Sequence, residues 1–124
     1  MKYKLLVLDV DGTLLNDAKE ISKRTLASLL KVQQMGIRVA LASGRPTYGL
    51  MPLAKTLELG HYGGVIISYN GGQIINAQNG EILFERRINP EMLPYLEKKA
   101  RKNNFAIFTS VSYTHLRAHE TLMN

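Results

Sequence analysis

The chain has 124 residues, 45% hydrophobic and 21% charged, with a formal net charge of +6 and no cysteine. That length allows one modest domain with a real core, and the composition excludes a disulfide scaffold, a thiolate metal centre and intrinsic disorder. No apolar stretch approaches a bilayer span, and the apolar run after Lys4 stops at Asp9, too early for a secretory signal. A reducing, cytoplasmic setting is the expectation.

In chain order, residues 4–9 read as a short strand buried on both faces, since nearly all are apolar. Ser22 is a candidate N-cap for a helix that carries Leu26, Leu29 and Leu30 on one face and stops at Gly36. Arg38–Ala42 reads as a second buried strand ending in Ser43 and Gly44. Pro46 opens another helix where its missing N–H costs nothing, and Pro52 predicts a kink or a short first segment. Val65–Ser68 is a third strand running into Asn70-Gly71-Gly72. The period then changes. Gln73–Ala77 and Glu81–Arg86 flank Asn79-Gly80, a hairpin signal in which both central residues can take positive φ. Pro90 starts a helix through about Lys102, and Phe105–Phe108 reads as a last strand.

Strands alternating with helices predict an α/β fold, a Rossmann-like parallel sheet with helices on both faces. Right-handed crossovers then bring the ends of the first three strands to one rim, where open α/β sheets bind ligands. Three small, polar or glycine-rich stretches meet there: Asp9–Thr13, Ser43–Arg45 and Asn70–Gly72. Asp9 and Asp11 lie two apart and point the same way in extended backbone. Gly12 permits a turn whose N–H groups face an anion.

Two crowded carboxylates beside an anion nest make chemical sense with Mg2+ between them, because this ion binds through one or two carboxylates plus substrate phosphate. An aspartate is ionised at neutral pH and needs no base to act as nucleophile; its difficulty is approaching another anion. Two unit charges about 4 Å apart repel by roughly 4 kcal/mol at an effective dielectric of 20. That is a rate factor of roughly 10³, which a divalent cation offsets. The second carboxyl can protonate a leaving alkoxide and then activate water.

Asp9-Val10-Asp11-Gly12-Thr13-Leu14-Leu15 resembles the first motif of the haloacid dehalogenase-like hydrolases. Ala42-Ser43-Gly44-Arg45-Pro46 is similar to the second motif of their Cof-type sugar-phosphate phosphatase branch, and Asn70-Gly71-Gly72 resembles that branch's Asn-Gly-Ala loop. The resemblance runs from about Met1 to Thr109. It implies that Asp9 is the nucleophile that becomes aspartyl-phosphate and Asp11 the general acid/base, with Asp9 and the Asp11 backbone carbonyl on Mg2+. It also implies that Ser43 hydrogen-bonds the phosphoryl group. Gly12, Thr13, Gly44, Arg45, Asn70 and Gly71 complete the expected phosphate and substrate site.

Each piece has a blander reading. Ser43 alone suits a helix N-cap, Arg45 a surface cation, and Asn70-Gly71 a simple turn. Tyr48, Leu50 and Met51 read as helix packing. The basic cluster Lys98, Lys99, Arg101 and Lys102 reads as a solvated helix end, so neither nucleic acid nor a membrane is the expected partner; a small phosphorylated metabolite is. His115 and His119 have the spacing of a helical metal pair but lack a third ligand.

The family's third motif, a lysine, and its fourth, acidic motif are not identifiable in this sequence. The expected organisation is therefore the amino-terminal part of the core at 1–88, the start of an α+β cap domain at 89–110, and a foreign tail at 111–124. The first strand would then present an unpaired apolar edge. The expected function is a magnesium-dependent phosphatase of small phosphorylated metabolites, chiefly sugar phosphates, with little activity from this stretch alone. A phosphosugar mutase of the same fold and a non-catalytic phosphate- or partner-binding remnant are the rivals. Substrate identity and oligomeric state are not legible.

Overall fold

The computed structural model describes residues 2–109. The expected tail from Val111 onward, with His115 and His119, lies outside the described residues. The chain forms two units, Met1–Arg87 and Ile88–Asn124.

The first unit holds a five-stranded sheet in the order β1 (Leu5–Asp9), β2 (Arg38–Ala42), β3 (Val65–Ser68), β4 (Gln73–Asn76), β5 (Ile82–Glu85). The first three strands are parallel, as crossover connections require, and β4 and β5 add antiparallel. Helices α1 (Lys23–Gln34), α2 (Thr47–Thr56) and the single turn α3 (Leu59–Tyr62) fill the connections. Ser22 caps α1 as expected, accepting from the Thr25 N–H at 3.1 Å, and Gly36 follows the helix with φ +92°.

In-register pairing sets the core. Leu6 sits opposite Val39, and Leu8, Leu41 and Ile66 form a row across β1, β2 and β3. Leu29 of α1, Leu50 and Ala54 of α2, then Leu57 and Leu59 pack on this row. Both crossovers step in the same direction along the sheet, and the right-handed rule then deposits both helices on one face. The expected covering of two faces is thus met on one face of this unit. On the other, Leu5 and Val7 remain 53% and 50% exposed. Residues 4–9 are accordingly buried on one face only. β1 is a sheet edge, paired with β2 alone among the described residues.

Three local expectations are corrected. α2 continues through Pro52 with no short first segment, and the chain leaves the helix near Glu58, which adopts a left-handed φ of +56°. One lost N–H bond is tolerated where Leu50 and Ala54 bury the helix. In the hairpin only Gly80 takes positive φ; the Asn79 side chain instead accepts from the Glu81 N–H at 2.9 Å, an Asx turn that stabilises ordinary backbone. Residues 105–109 form no strand, for no described strand lies beside them to complete a ladder.

The second unit contains a helical turn at Pro90–Met92, capped by Asn89, followed by α4 (Leu93–Lys102), so the expected helix is present. Asn104, left-handed, ends it. None of the helices is long and apolar enough to cross a membrane among the described residues.

Candidate active site

The rim is built from the carboxyl ends of β1, β2 and β3. Asp9 ends β1 opposite Ala42, and Ala42 in turn faces Ile67, so the three strand ends are level. Val10 is completely buried, and Leu14 and Leu15 nearly so. These apolar anchors pin the segment while Asp9, Asp11, Gly12 and Thr13 stay exposed. The Leu15 N–H donates to the Val10 carbonyl at 3.0 Å and closes a wide turn. Within it Gly12 has φ +84°, a conformation that strains any residue with a Cβ.

The two carboxylates are compensated differently. Thr13 Oγ1 donates to Asp9 Oδ2 at 3.3 Å. Asp11 is gripped by Arg45, with Nε on Oδ2 at 3.0 Å and Nη2 on Oδ1 at 2.7 Å. Lys19 Nζ stands 3.8 Å from Asp11 Oδ1. The Arg45 hydrogen bonds hold the Asp11 carboxyl below the usual carboxylate range, and the same pairing raises Arg45.

Motif loops two and three are zipped together by backbone. The Tyr69 N–H donates to the Arg45 carbonyl at 2.9 Å and the Asn70 N–H to the Ser43 carbonyl at 3.0 Å. Ser43 Oγ accepts from the Arg45 N–H at 3.0 Å, the local capping role, which leaves the hydroxyl proton to donate elsewhere. A Cβ on Gly44 would lie 3.0 Å from Asn70 Oδ1, so the Asn70 amide rests directly over this glycine. Tyr69, Asn70 and Gly71 are consecutively left-handed, at +52°, +55° and +94°. Non-glycine residues held so cost on the order of 1–3 kcal/mol each, and such strain clusters at functional sites.

The structure therefore gathers Asp9, Asp11, Gly12, Thr13, Ser43, Gly44, Arg45, Asn70 and Gly71 on one rim. Of the three residues expected as helix packing, only Leu50 is buried; Tyr48 and Met51 are 61% and 45% exposed.

Two features escaped sequence reasoning. Lys19 is left-handed (φ +62°) in a small loop in which Asn16 Oδ1 accepts from the N–H groups of Ala18 and Glu20. Its place beside Asp11 has no sequence signal, although Asn16-Asp17 marks the turn. The second is a polar chain. Buried Ser68 bonds Thr47 at 2.6 Å, Thr47 donates to Gln73 Oε1 at 2.5 Å, and Gln73 Nε2 donates to Glu85 at 2.7 Å. Thr47 spends its one hydroxyl proton on Gln73, and the Ser68 proton is shared between Thr47 Oγ1 and the Gln73 carbonyl at 3.4 Å.

Arg87 first, and Gln73 second, hold the Glu85 carboxyl below its ordinary value. A carboxylate depressed by folding supports the fold above its unfolded pKa, and the support fades as pH falls through the folded value. Amide protection in β4 and β5 is therefore expected to weaken on acidification below about pH 4.3. Hydrogen exchange reads this step, and Glu85→Gln is expected to remove it.

Among the described residues no group of three or more metal-ligating side chains gathers. Mg2+ needs only one or two protein carboxylates alongside substrate phosphate and water, and Asp9 meets that requirement. The Asp11 carboxylate is held by Arg45, and it is the family resemblance that puts its backbone carbonyl, not its side chain, on the ion. The residues present fit the ion through Asp9 and that carbonyl.

A sequence profile of the haloacid dehalogenase-like hydrolases matches residues 6–120, and the chain belongs to this family. A Streptococcus pyogenes relative with a provisional phosphatase name is 38% identical over 81 residues, covering 65% of this chain and 30% of the relative. The 5-amino-6-(5-phospho-D-ribitylamino)uracil phosphatase YcsE of Bacillus subtilis is 34% identical over 71 residues, 57% of this chain and 27% of its own length. The crystal structure of a haloacid dehalogenase-like hydrolase from Bacteroides thetaiotaomicron matches with a TM-score of 0.77 and 52% identity, over 83% of this chain and 39% of that one. The fold is the Rossmann-type α/β fold of these neighbours. The chain spans about a third of the length of the curated relatives it matches.

Proposed function

We propose that this chain supplies the nucleophile and acid/base half of a Cof-type, magnesium-dependent phosphatase acting in the cytoplasm on small phosphorylated metabolites, chiefly sugar phosphates. The observation that carries this reading is the rim itself: two carboxylates with separate partners, Asp9 with Thr13 and Asp11 with Arg45, beside two strapped loops. The YcsE name, which specifies a phosphorylated ribityl compound, favours the same substrate class.

An oxygen of Asp9 attacks phosphorus and forms an acyl phosphate as the bond to the leaving oxygen breaks. Asp11 gives its proton to that oxygen. As a carboxylate it then takes a proton from the water that attacks phosphorus, releasing phosphate and restoring Asp9. Ser43 and Asn70 offer hydrogen-bond donors at the rim, and Gly12 and Gly71 let backbone approach the anion. Arg45 favours the ionised form of Asp11 that the water step needs; an arriving phosphoryl anion opposes that effect and favours the acid. Bound Mg2+ supplies the positive charge that lets one anion approach another.

With one side-chain carboxylate for the ion, residues 1–124 alone are expected to turn over slowly, and the 89–110 stretch is read as the start of a cap. The test is covalent. Acid quenching during hydrolysis of a sugar phosphate is expected to trap phosphate on Asp9, located by mass spectrometry of the peptide. A hydrolysing protein that labels elsewhere, or nowhere, would overturn the assignment. Magnesium-dependent hydrolysis by the 124 residues themselves would show that the groups present suffice.

A further inference from the structure

Asp11 occupies the turn before Gly12, and its side chain is 45% exposed. The hydrogen bonds that hold the carboxylate come from Arg45 and not from that turn. Arg45 fixes the carboxylate plane. The planar guanidinium presents two parallel N–H groups to the two oxygens, a geometry that a lysine cannot reproduce. Arg45 is restrained in turn, through its N–H on Ser43 Oγ, its carbonyl under the Tyr69 N–H, and Nη1 3.4 Å from the Gly49 carbonyl. Lys19, 70% exposed and 3.8 Å away, adds charge but no direction.

We propose that Arg45 is a positioning residue: its fork orients the Asp11 carboxyl toward the leaving oxygen of the substrate, and its main task is not to bind the phosphoryl group. The proposal rests on reading Asp11 as the acid/base. Proton transfer demands hydrogen-bond reach, and a displacement of about 1 Å can cost on the order of 10²-fold in rate.

The two roles leave different signatures. p-Nitrophenolate departs without a proton, whereas a sugar alkoxide needs one. Arg45→Lys and Arg45→Ala are expected to lower kcat on a sugar phosphate by about 10- to 100-fold, with KM moving less than about threefold. In the first chemical step, read as aspartyl-phosphate formation in a single turnover, the loss on p-nitrophenyl phosphate is expected to be much smaller; the water step that follows needs Asp11 with either substrate. Added to Asp11→Asn, either change is expected to do nothing more, because its target is gone. Equal losses on both substrates in that first step, a loss carried by KM, or additivity with Asp11→Asn would overturn the proposal and make Arg45 a phosphoryl binder. If Asp11→Asn shows no dependence on the leaving group in that first step, the acid/base reading fails, whatever Arg45 does. A measurement without turnover checks the fork directly. The Arg45 Nε–H proton is expected to be exchange-protected by nuclear magnetic resonance and to lose that protection in Asp11→Asn; an unprotected proton in the parent chain would overturn the proposal.

Discussion

Asp9→Asn is expected to lower phosphate-ester hydrolysis by at least about 10³-fold in the whole protein while leaving the fold intact. The substitution is nearly isosteric. The new amide oxygen can still accept from Thr13 Oγ1, as Asp9 Oδ2 does at 3.3 Å. Asp9 is exposed, so no buried group is left unpaired, and the stability change is expected to stay within about 0.5 kcal/mol. What disappears is the ionised oxygen that attacks phosphorus. Initial rates on a sugar phosphate, set beside a thermal melt of the same preparation, separate lost chemistry from lost structure. A near-normal rate in Asp9→Asn would require a nucleophile elsewhere, such as water activated by Asp11.

The second large effect is on stability. Leu41 is fully buried in β2, with Leu8 and Ile66 beside it in register and helices packed over the row. Leu41→Ala removes a fully buried side chain from the cluster that joins the sheet to its helices. Such truncations cost about 2–5 kcal/mol. In a unit of this size that corresponds to a fall in Tm of roughly 10–30 °C. Val7, on the uncovered face and half exposed, gives the contrast: Val7→Ala is expected to cost under about 1 kcal/mol. Urea denaturation of both variants checks the pair. Equal costs would mean that the core does not lie on the helix-covered face.

The difference between those two positions also shows what the sequence could and could not disclose. Residues 5–8 are uniformly apolar, and a uniform run carries no sign of which face is covered. Coverage came instead from topology, because two right-handed crossovers stepping the same way place their helices together. Ser22, Gly36 and the three strand ends were legible because each acts through its own few residues. Convergence of Asp9, Ser43 and Asn70 followed from strand order alone. The partner of Asp11 did not: Arg45 lies 34 residues away, and nothing local distinguishes a surface arginine from one that closes a fork. The apolar pattern at 105–108 misled for a related reason, since strand formation depends on a neighbour that the pattern does not describe. Pro52 misled because burial of α2 outweighs one missing hydrogen bond.

The run of three left-handed residues at Tyr69, Asn70 and Gly71 bears on how this fold could be engineered. Glycine at position 69 or 70 would relieve conformational strain, so the cheapest route to a hardier protein passes through the very loop that shapes the rim. Selection for heat resistance alone would erode the site first, and a library screened for both traits should hold those two positions constant.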